Sequence, residues 1–332
     1  MRNVLRLGLV FCMVLWTGCL SGRETGGESA GQEPEMKRIP VILDTDIGSD
    51  IDDTWAVALL LNCAELDPRL IVTASGDTRA RARLAARFLE VAGRADIPVG
   101  IGRFEGEEDL PQAPWVGDYE LDRYPGTIYE DGIEAMLQCI RESPAPVVLV
   151  VLGPATNIAA ALARDPSIVD KARVIAMSGS VDVGYDGKPE PEPEYNVRRD
   201  PGATRAMYEA GWHVLLAPLD TAGTIRLEGE RYRRVLGSQK PEIRALLENY
   251  RIWASRIDWT QVDPDVGSSV LFDTLAVALA VDDRWVEVDE VRLEVTDDGW
   301  TRRSEEGTLL WAALRWVDRE AYYDWLVDRL LR

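Results

Sequence analysis

Short apolar runs alternate along the chain with stretches of helical period. The runs Val41–Leu43, Leu70–Ser75, Ile97–Gly100, Val147–Leu152, Val174–Met177 and Val214–Ala217 predict strands. Between them, helices are predicted over Thr54–Ala64, Arg79–Ala92, Ile133–Glu142 and Ala155–Ala163. The first of these ends at Asp67-Pro68, and Gly93 closes the second. Val147–Leu152 is apolar throughout, as expected of a central strand buried on both faces. Asp200-Pro201 reads as an N-cap followed by a first-turn proline. A long helix is expected from Pro241 to about Trp259, a short apolar one over Leu275–Val281, edge strands from Val286 onwards, and a closing helix over Tyr322–Leu331. Strands alternating with helices predict an α/β fold with a Rossmann-like, doubly wound, mostly parallel sheet flanked by helices. Two segments stay irregular, 103–128 and 182–197, and loops of such length are often functional.

Three of the predicted strands run into carboxylates or amides. The first ends in Asp44-Thr45-Asp46-Ile47-Gly48-Ser49-Asp50-Ile51-Asp52-Asp53, which holds five aspartates within ten positions. The others lead to Gly76-Asp77 and, after a loop, to Glu194-Tyr195-Asn196; Asp273 opens a later helix. One aspartate, Asp52 or Asp53, is explicable as a helix cap. Five together repel one another unless a positive charge sits among them. In an open α/β sheet the strand carboxyl ends share one rim, where ligands bind. Carboxylates gathered there, with a backbone carbonyl from the Leu152-Gly153 turn, offer six to eight oxygen ligands of the kind that suits Ca²⁺ better than Mg²⁺.

Charge and leader narrow the setting. With 57 acidic and 37 basic residues the formal charge is −20, which disfavours nucleic acid polymers as partners. Residues 1–19 carry Arg2 and Arg6, the apolar stretch Leu7–Trp16, and Thr17-Gly18 before Cys19. That is an export signal too short to span a bilayer. Its end resembles a bacterial lipoprotein cleavage site, so Cys19 is expected to carry a lipid that anchors the chain to the cell envelope; ordinary cleavage to a periplasmic or secreted protein is the alternative. Residues 20–38 read as a flexible tether and 39–332 as one domain. Cys63 and Cys139 remain in the mature body, where two buried free thiols are expected.

The chemistry left over is narrow. The single histidine, His213, begins a strand and reads as a packed core residue. Neither a nucleophile elbow, nor a Walker loop, nor a dinucleotide glycine fingerprint is present. Carboxylates, a metal and aromatic rings suit hydrolysis of a glycosidic bond through a cationic transition state.

Four segments, in order, resemble the calcium-dependent inosine–uridine-preferring nucleoside hydrolases over about residues 40–330. They are Asp44–Gly48 with Asp52-Asp53, Leu152-Gly153-Pro154-Ala155-Thr156-Asn157-Ile158-Ala159, Glu194-Tyr195-Asn196 with Asp200-Pro201, and Phe272-Asp273-Thr274-Leu275-Ala276-Val277. The resemblance implies the nucleoside hydrolase fold and a small nucleoside or riboside as substrate. It implies that Asp46, Asp53, Asp273 and the Leu152 carbonyl bind calcium. Asp46 would also be the general base, taking a proton from a water on the metal. Asp52, Glu194 and Asn196 would hold the ribose hydroxyls.

The departures are equally specific. Ser49 and Asp50 are two extra residues, so Asp50 or Asp52 fills one sugar-binding position depending on the end from which one counts. Asp77 stands where the family usually has a ribose-contacting Asn, and Phe272 where many members have a His near the leaving base. The 103–128 segment matches no family substrate loop, and the Gly184–Glu194 loop is longer and more acidic. Trp115, Tyr250, Trp253 and Trp259 are candidates to stack on a leaving base, or else core packing. Beside the N-ribosyl hydrolase stand two alternatives: a hydrolase of another glycoside, and a non-catalytic calcium-dependent sugar-binding lipoprotein. The pattern permits a homo-oligomer.

Overall fold

The computed structural model describes residues 38–332, so the leader, Cys19 and nearly all of the tether lie outside the described residues. One ten-stranded sheet organises everything else. Its strands are β1 (Ile39–Thr45), β2 (Leu66–Thr73), β3 (Val99–Ile101), β4 (Ile128–Tyr129), β5 (Val147–Val151), β6 (Ala172–Met177), β7 (Val214–Ala217), β8 (Val286–Val295), β9 (Thr301–Arg303) and β10 (Thr308–Trp316). They lie in the order β4-β3-β2-β1-β5-β6-β7-β10-β8-β9. Pairing is parallel from β4 through β10, and antiparallel from β10 to β8 and β8 to β9. The sheet is therefore doubly wound and mostly parallel, with an antiparallel margin.

The chain turns back between β1 and β5, which are direct neighbours: Val41 to Asp44 pair with Val148 to Val151. Such a reversal opens a crevice at the strand carboxyl ends. Every residue of β5 is buried, which requires helices on both faces, and two apolar cores flank the sheet. One face is covered by the helices Asp52–Leu61, Thr78–Val91, Pro241–Ala254, Thr274–Val281 and Arg319–Leu330, the other by Gly132–Glu142, Thr156–Arg164 and Pro201–Glu209. The helices Asp52–Leu61 and Thr274–Val281 are apolar nearly all round and buried against each other in the first core.

Several local expectations change. Asp67 and Pro68 lie inside β2, because the register slips between Val41 and Ile42 and the bulge accommodates a proline that cannot donate to the ladder. The long helix stops at Ala254, which puts Trp259 on a loop, and an additional helix covers Gly229–Leu236. β10 is no edge strand: it sits between β7 and β8. His213 is exposed and stacks on Trp311, with ring centroids 4.3 Å apart, so it is not a core residue. Cys63 is buried, Cys139 is half-buried, and neither is bonded to the other.

Candidate active site

The site begins where β1 ends. Thr45 closes the strand, and its hydroxyl donates to Asp53 Oδ1 while accepting from the Ile47 N–H at 3.2 Å. Leu152 N donates to Asp44 O at 2.8 Å and Ala74 N to Thr45 O at 2.8 Å, so the ends of β5 and β2 are tied to the turn. Gly153 is required here. A Cβ on it would lie 2.9 Å from Asp46 Oδ1 and 3.0 Å from Asp46 N, and the missing side chain is what admits the aspartate.

Asp52 and Asp53 occupy the first turn of their helix, and Asp273 immediately precedes Thr274–Val281. Two helix N-termini thus point the positive ends of their dipoles at the carboxylates. Carboxylate oxygens of Asp52, Asp53 and Asp273 all come within 4.8 Å of one another, and all three residues are buried. Burial, and then the neighbouring aspartates, hold these three carboxyls well above the usual carboxylate range. Asp46 is raised as well, chiefly by burial and partly opposed by Arg81. Asp44 is pushed up to about 7 by burial, against the hydrogen bond from Asn157 Nδ2 at 2.7 Å, and its Oδ1 has no partner. An all-oxygen, acid-rich cluster with so little compensating charge fits a hard divalent cation.

A cavity of about 720 Å³ opens over this floor. Asp46, Asp50, Asp52, Asp53, Leu152, Glu194, Asn196 and Asp273 all line it, so eight of the nine site positions expected from the sequence are brought together. Asp77 is not among them. It caps the helix Thr78–Val91, accepting from Ala80 N at 3.0 Å. Glu194 caps the short helix Tyr195–Arg199 while facing the cavity: Oε1 accepts from Asn196 N at 2.7 Å, and Oε2 from Gly179 N at 3.1 Å and Val197 N at 3.2 Å. Burial still pushes its carboxyl up to about 7. Asn196 Nδ2 donates to Leu152 O at 2.5 Å and Met177 O at 3.0 Å, which takes one of the two lone pairs on the Leu152 carbonyl.

The chain has counterparts among known proteins. A family described as inosine-uridine preferring nucleoside hydrolase matches residues 41–324. The chain belongs to that family. It is 32% identical over 214 residues to the pyrimidine-specific ribonucleoside hydrolase RihA of Citrobacter koseri, covering 61% of this chain and 67% of the relative. Against the protein of the same description from Klebsiella pneumoniae it is 28% identical over 318 residues, 88% of this chain and 98% of the relative. Among solved structures, a plant nucleoside hydrolase superposes with a TM-score of 0.75 at 24% identity, over 89% of this chain and 99% of that one. A purine-preferring ribonucleoside hydrolase from Gardnerella vaginalis gives 0.71 at 22%, over 88% and 98%. The protein is a nucleoside hydrolase with an acidic floor.

Several supports of that nucleoside hydrolase site went unseen in the sequence. Arg81 is fully buried beneath the aspartate turn. Its guanidinium donates to the carbonyls of Asp46, Ile47 (3.2 Å) and Ser75 (2.8 Å), and pairs with Glu108 at 2.5 Å. A helical-spacing signal was present, since Arg81, Leu84, Ala85 and Phe88 fall on one buried face. Gln112, from the segment that matched no substrate loop, donates to Asp50 O and accepts from Thr54 Oγ1 at 2.8 Å and Asn249 Nδ2 at 2.9 Å. Trp253 Nε1 donates to Ser49 O at 2.9 Å. The two extra residues are therefore braced from both sides, with Asp50 on the cavity wall and its carboxyl pushed up to about 6 by burial. Of the four aromatic candidates, Trp115 and Tyr250 are core residues, Trp253 lines the cavity, and Trp259 lines it while 60% exposed.

Proposed function

We propose that this enzyme hydrolyses the N-glycosidic bond of ribonucleosides with Ca²⁺ as cofactor and Asp46 as general base. The observation that carries the reading is the buried Asp52, Asp53 and Asp273 group beside Asp46, at the reversal of the strand order. Asp53, Asp273, Asp46 and the Leu152 carbonyl would hold the ion, and Asp52, clustered with Asp53 and Asp273, would lie within reach of the same charge. When bound, calcium supplies the positive charge that lets these carboxyls ionise together and that acidifies water.

The chain's own residues do the rest. Asp46, set against Gly153, takes a proton from the attacking water. Asp52, Asp50, Asn196 and Glu194 orient the ribose hydroxyls; the Asn196 Oδ1 and the remaining carboxylate lone pairs are the acceptors available. The surrounding carboxylates stabilise the oxocarbenium-like charge that grows on the sugar as the base leaves toward Phe272 and Tyr185. Water adds to C1′, and ribose and free base are the products.

The experiment is release of ribose from a nucleoside panel with Ca²⁺ and again with a chelator, repeated with Asp46→Asn. Release should need calcium and fall on the order of 10²–10⁴-fold in the variant. Full turnover by Asp46→Asn would remove the base assignment, and calcium-independent release the cofactor. The proposal extends to the leader: an exported protein held at the envelope through a lipid on Cys19. Partition of wild type into a detergent phase, lost in Cys19→Ser, supports the anchor, and equal partition of the two refutes it.

A further inference from the structure

Departure of an ordinary nucleoside base leaves a negative charge on the ring, which a proton donor relieves. Among the described residues no histidine lines this cavity, and the ring facing it beside Asp273 is Phe272, edge-on to Tyr185 with centroids 6.0 Å apart. The lining cations are Lys188, Arg198 and Arg226. Lys188 is paired with Glu192 at 2.9 Å and Arg226 with Asp186 at 2.8 Å, so two of the three are already engaged.

The acids show the opposite balance. Nine carboxylates line the same cavity. Glu108, Asp109 and Asp186 are matched by Arg81, Arg256 and Arg226. Those on the floor have no such match, and a single divalent ion neutralises them only in part. Above them the wall is aromatic, with Trp259 held out to solvent and edge-on to Trp253 at 6.2 Å. Aromatic faces over residual negative charge attract a flat organic cation more strongly than a neutral ring.

We propose that the preferred substrates of this site are ribosides whose base is already cationic, of the N-ribosylpyridinium class. The inference rests on the ribohydrolase reading above and adds the chemistry of the leaving group. The C1′–N bond breaks and its electron pair passes to the ring nitrogen, cancelling the pyridinium charge. The water oxygen bonds to C1′, and its proton passes to Asp46 and then to solvent. A neutral pyridine leaves, and no acid is needed at Phe272.

The test compares nicotinamide riboside with uridine and inosine, in calcium, on the wild type and Trp259→Leu. Nicotinamide riboside should show the highest kcat/KM, on the order of 10²-fold above inosine, the value of the general acid that Phe272 cannot supply. Pyridinium ribosides are intrinsically more labile, so KM and its salt dependence decide the matter. The KM for nicotinamide riboside should rise several-fold towards about 1 M salt, where the screening length falls to about 3 Å, with uridine unaffected. Trp259→Leu should raise it about tenfold and that for uridine less. A salt-insensitive KM, equal losses for both substrates in Trp259→Leu, or preference for the 5′-phosphorylated riboside would each overturn the inference. Absence of turnover on every riboside would instead strike the ribohydrolase reading itself.

Discussion

The floor and the wall of the cavity are built by different rules. The floor is made of strand ends and helix starts: Asp46 follows β1, Asp52 and Asp53 begin one helix, Asp273 precedes another, and Leu152 follows β5. Each is positioned by backbone that the core holds rigid. The wall is made of loops, with Glu108, Tyr185, Trp259 and Phe272 contributed by four separate segments. Unmatched carboxylates are thus kept on the rigid part, where their repulsion can be contained, while the acids of the loop-built wall, Glu108, Asp109 and Asp186, are each paired with an arginine.

Lightening the floor should have the largest effect. Asp273→Asn removes one of three mutually repelling buried carboxylates, so it should act in opposite directions on function and stability. Ribose release should fall on the order of 10²-fold or more, with weaker calcium binding by calorimetry. In chelator, the same variant should melt higher than wild type, because its floor repels itself less. A variant that binds calcium normally, or melts lower in chelator, would mean that the cluster is not held under repulsion.

Arg81 joins the two regions, which makes it the next largest lever. Its buried guanidinium serves three carbonyls of the floor turns and the wall carboxylate of Glu108. Arg81→Met leaves those carbonyls without a donor and Glu108 without a partner. We expect a loss of about 3 kcal/mol in urea unfolding, together with reduced kcat. A loss below about 1 kcal/mol would show that water or a rearranged loop substitutes for the guanidinium, and that floor and wall are independent.

How far each region was legible follows from the same physics. Eight site positions were readable because strand-end carboxylates are fixed by local sequence, and an Asp run after an apolar run is visible without a fold. Arg81, Gln112 and the bond from Trp253 to Ser49 were not, since the partners lie 35, 62 and 204 positions apart, and only the tertiary structure brings them together. β10 looked like an edge strand because burial by its neighbours β7 and β8 is likewise a non-local fact. Apolar residues recur past Ala254 and extend the expected helix to about Trp259, whereas the chain leaves the helix at Ala254.

Protonation offers a smaller, graded probe of the floor. Asp44 and Glu194 stand at about 7 and Asp50 at about 6, against ordinary values of 3.8, 4.5 and 3.8. The folded protein therefore binds protons more tightly than the unfolded chain. That contribution is fully present below about pH 4 and is lost as pH rises to about 7. In chelator, stability should decline between pH 5 and 8 by several kcal/mol, at about 1.4 kcal/mol per pH unit for each group between its unfolded and folded pKa, seen as a falling Tm. Calcium should flatten or invert the slope, because it binds the deprotonated groups. A chelated protein that gains stability over this range would reverse the sign assigned to the floor.

Asp77 gives the smallest effect and the finest distinction. The family resemblance placed it at the ribose, whereas its carboxylate accepts from Ala80 N at the start of Thr78–Val91 and stands apart from the cavity lining. Serine supplies the same capping oxygen on a shorter side chain but no carboxylate. If Asp77 is a cap, Asp77→Ser should stay within about 0.5 kcal/mol of wild type while Asp77→Ala loses about 1 kcal/mol, and neither should change KM more than about twofold. If it reaches the ribose in the loaded enzyme, serine should restore stability but not KM, because a ribose hydroxyl would then have lost its carboxylate acceptor. Measuring both variants by thermal melting and by steady-state kinetics separates the two roles, and it locates the boundary of the rigid floor at Asp77 or short of it.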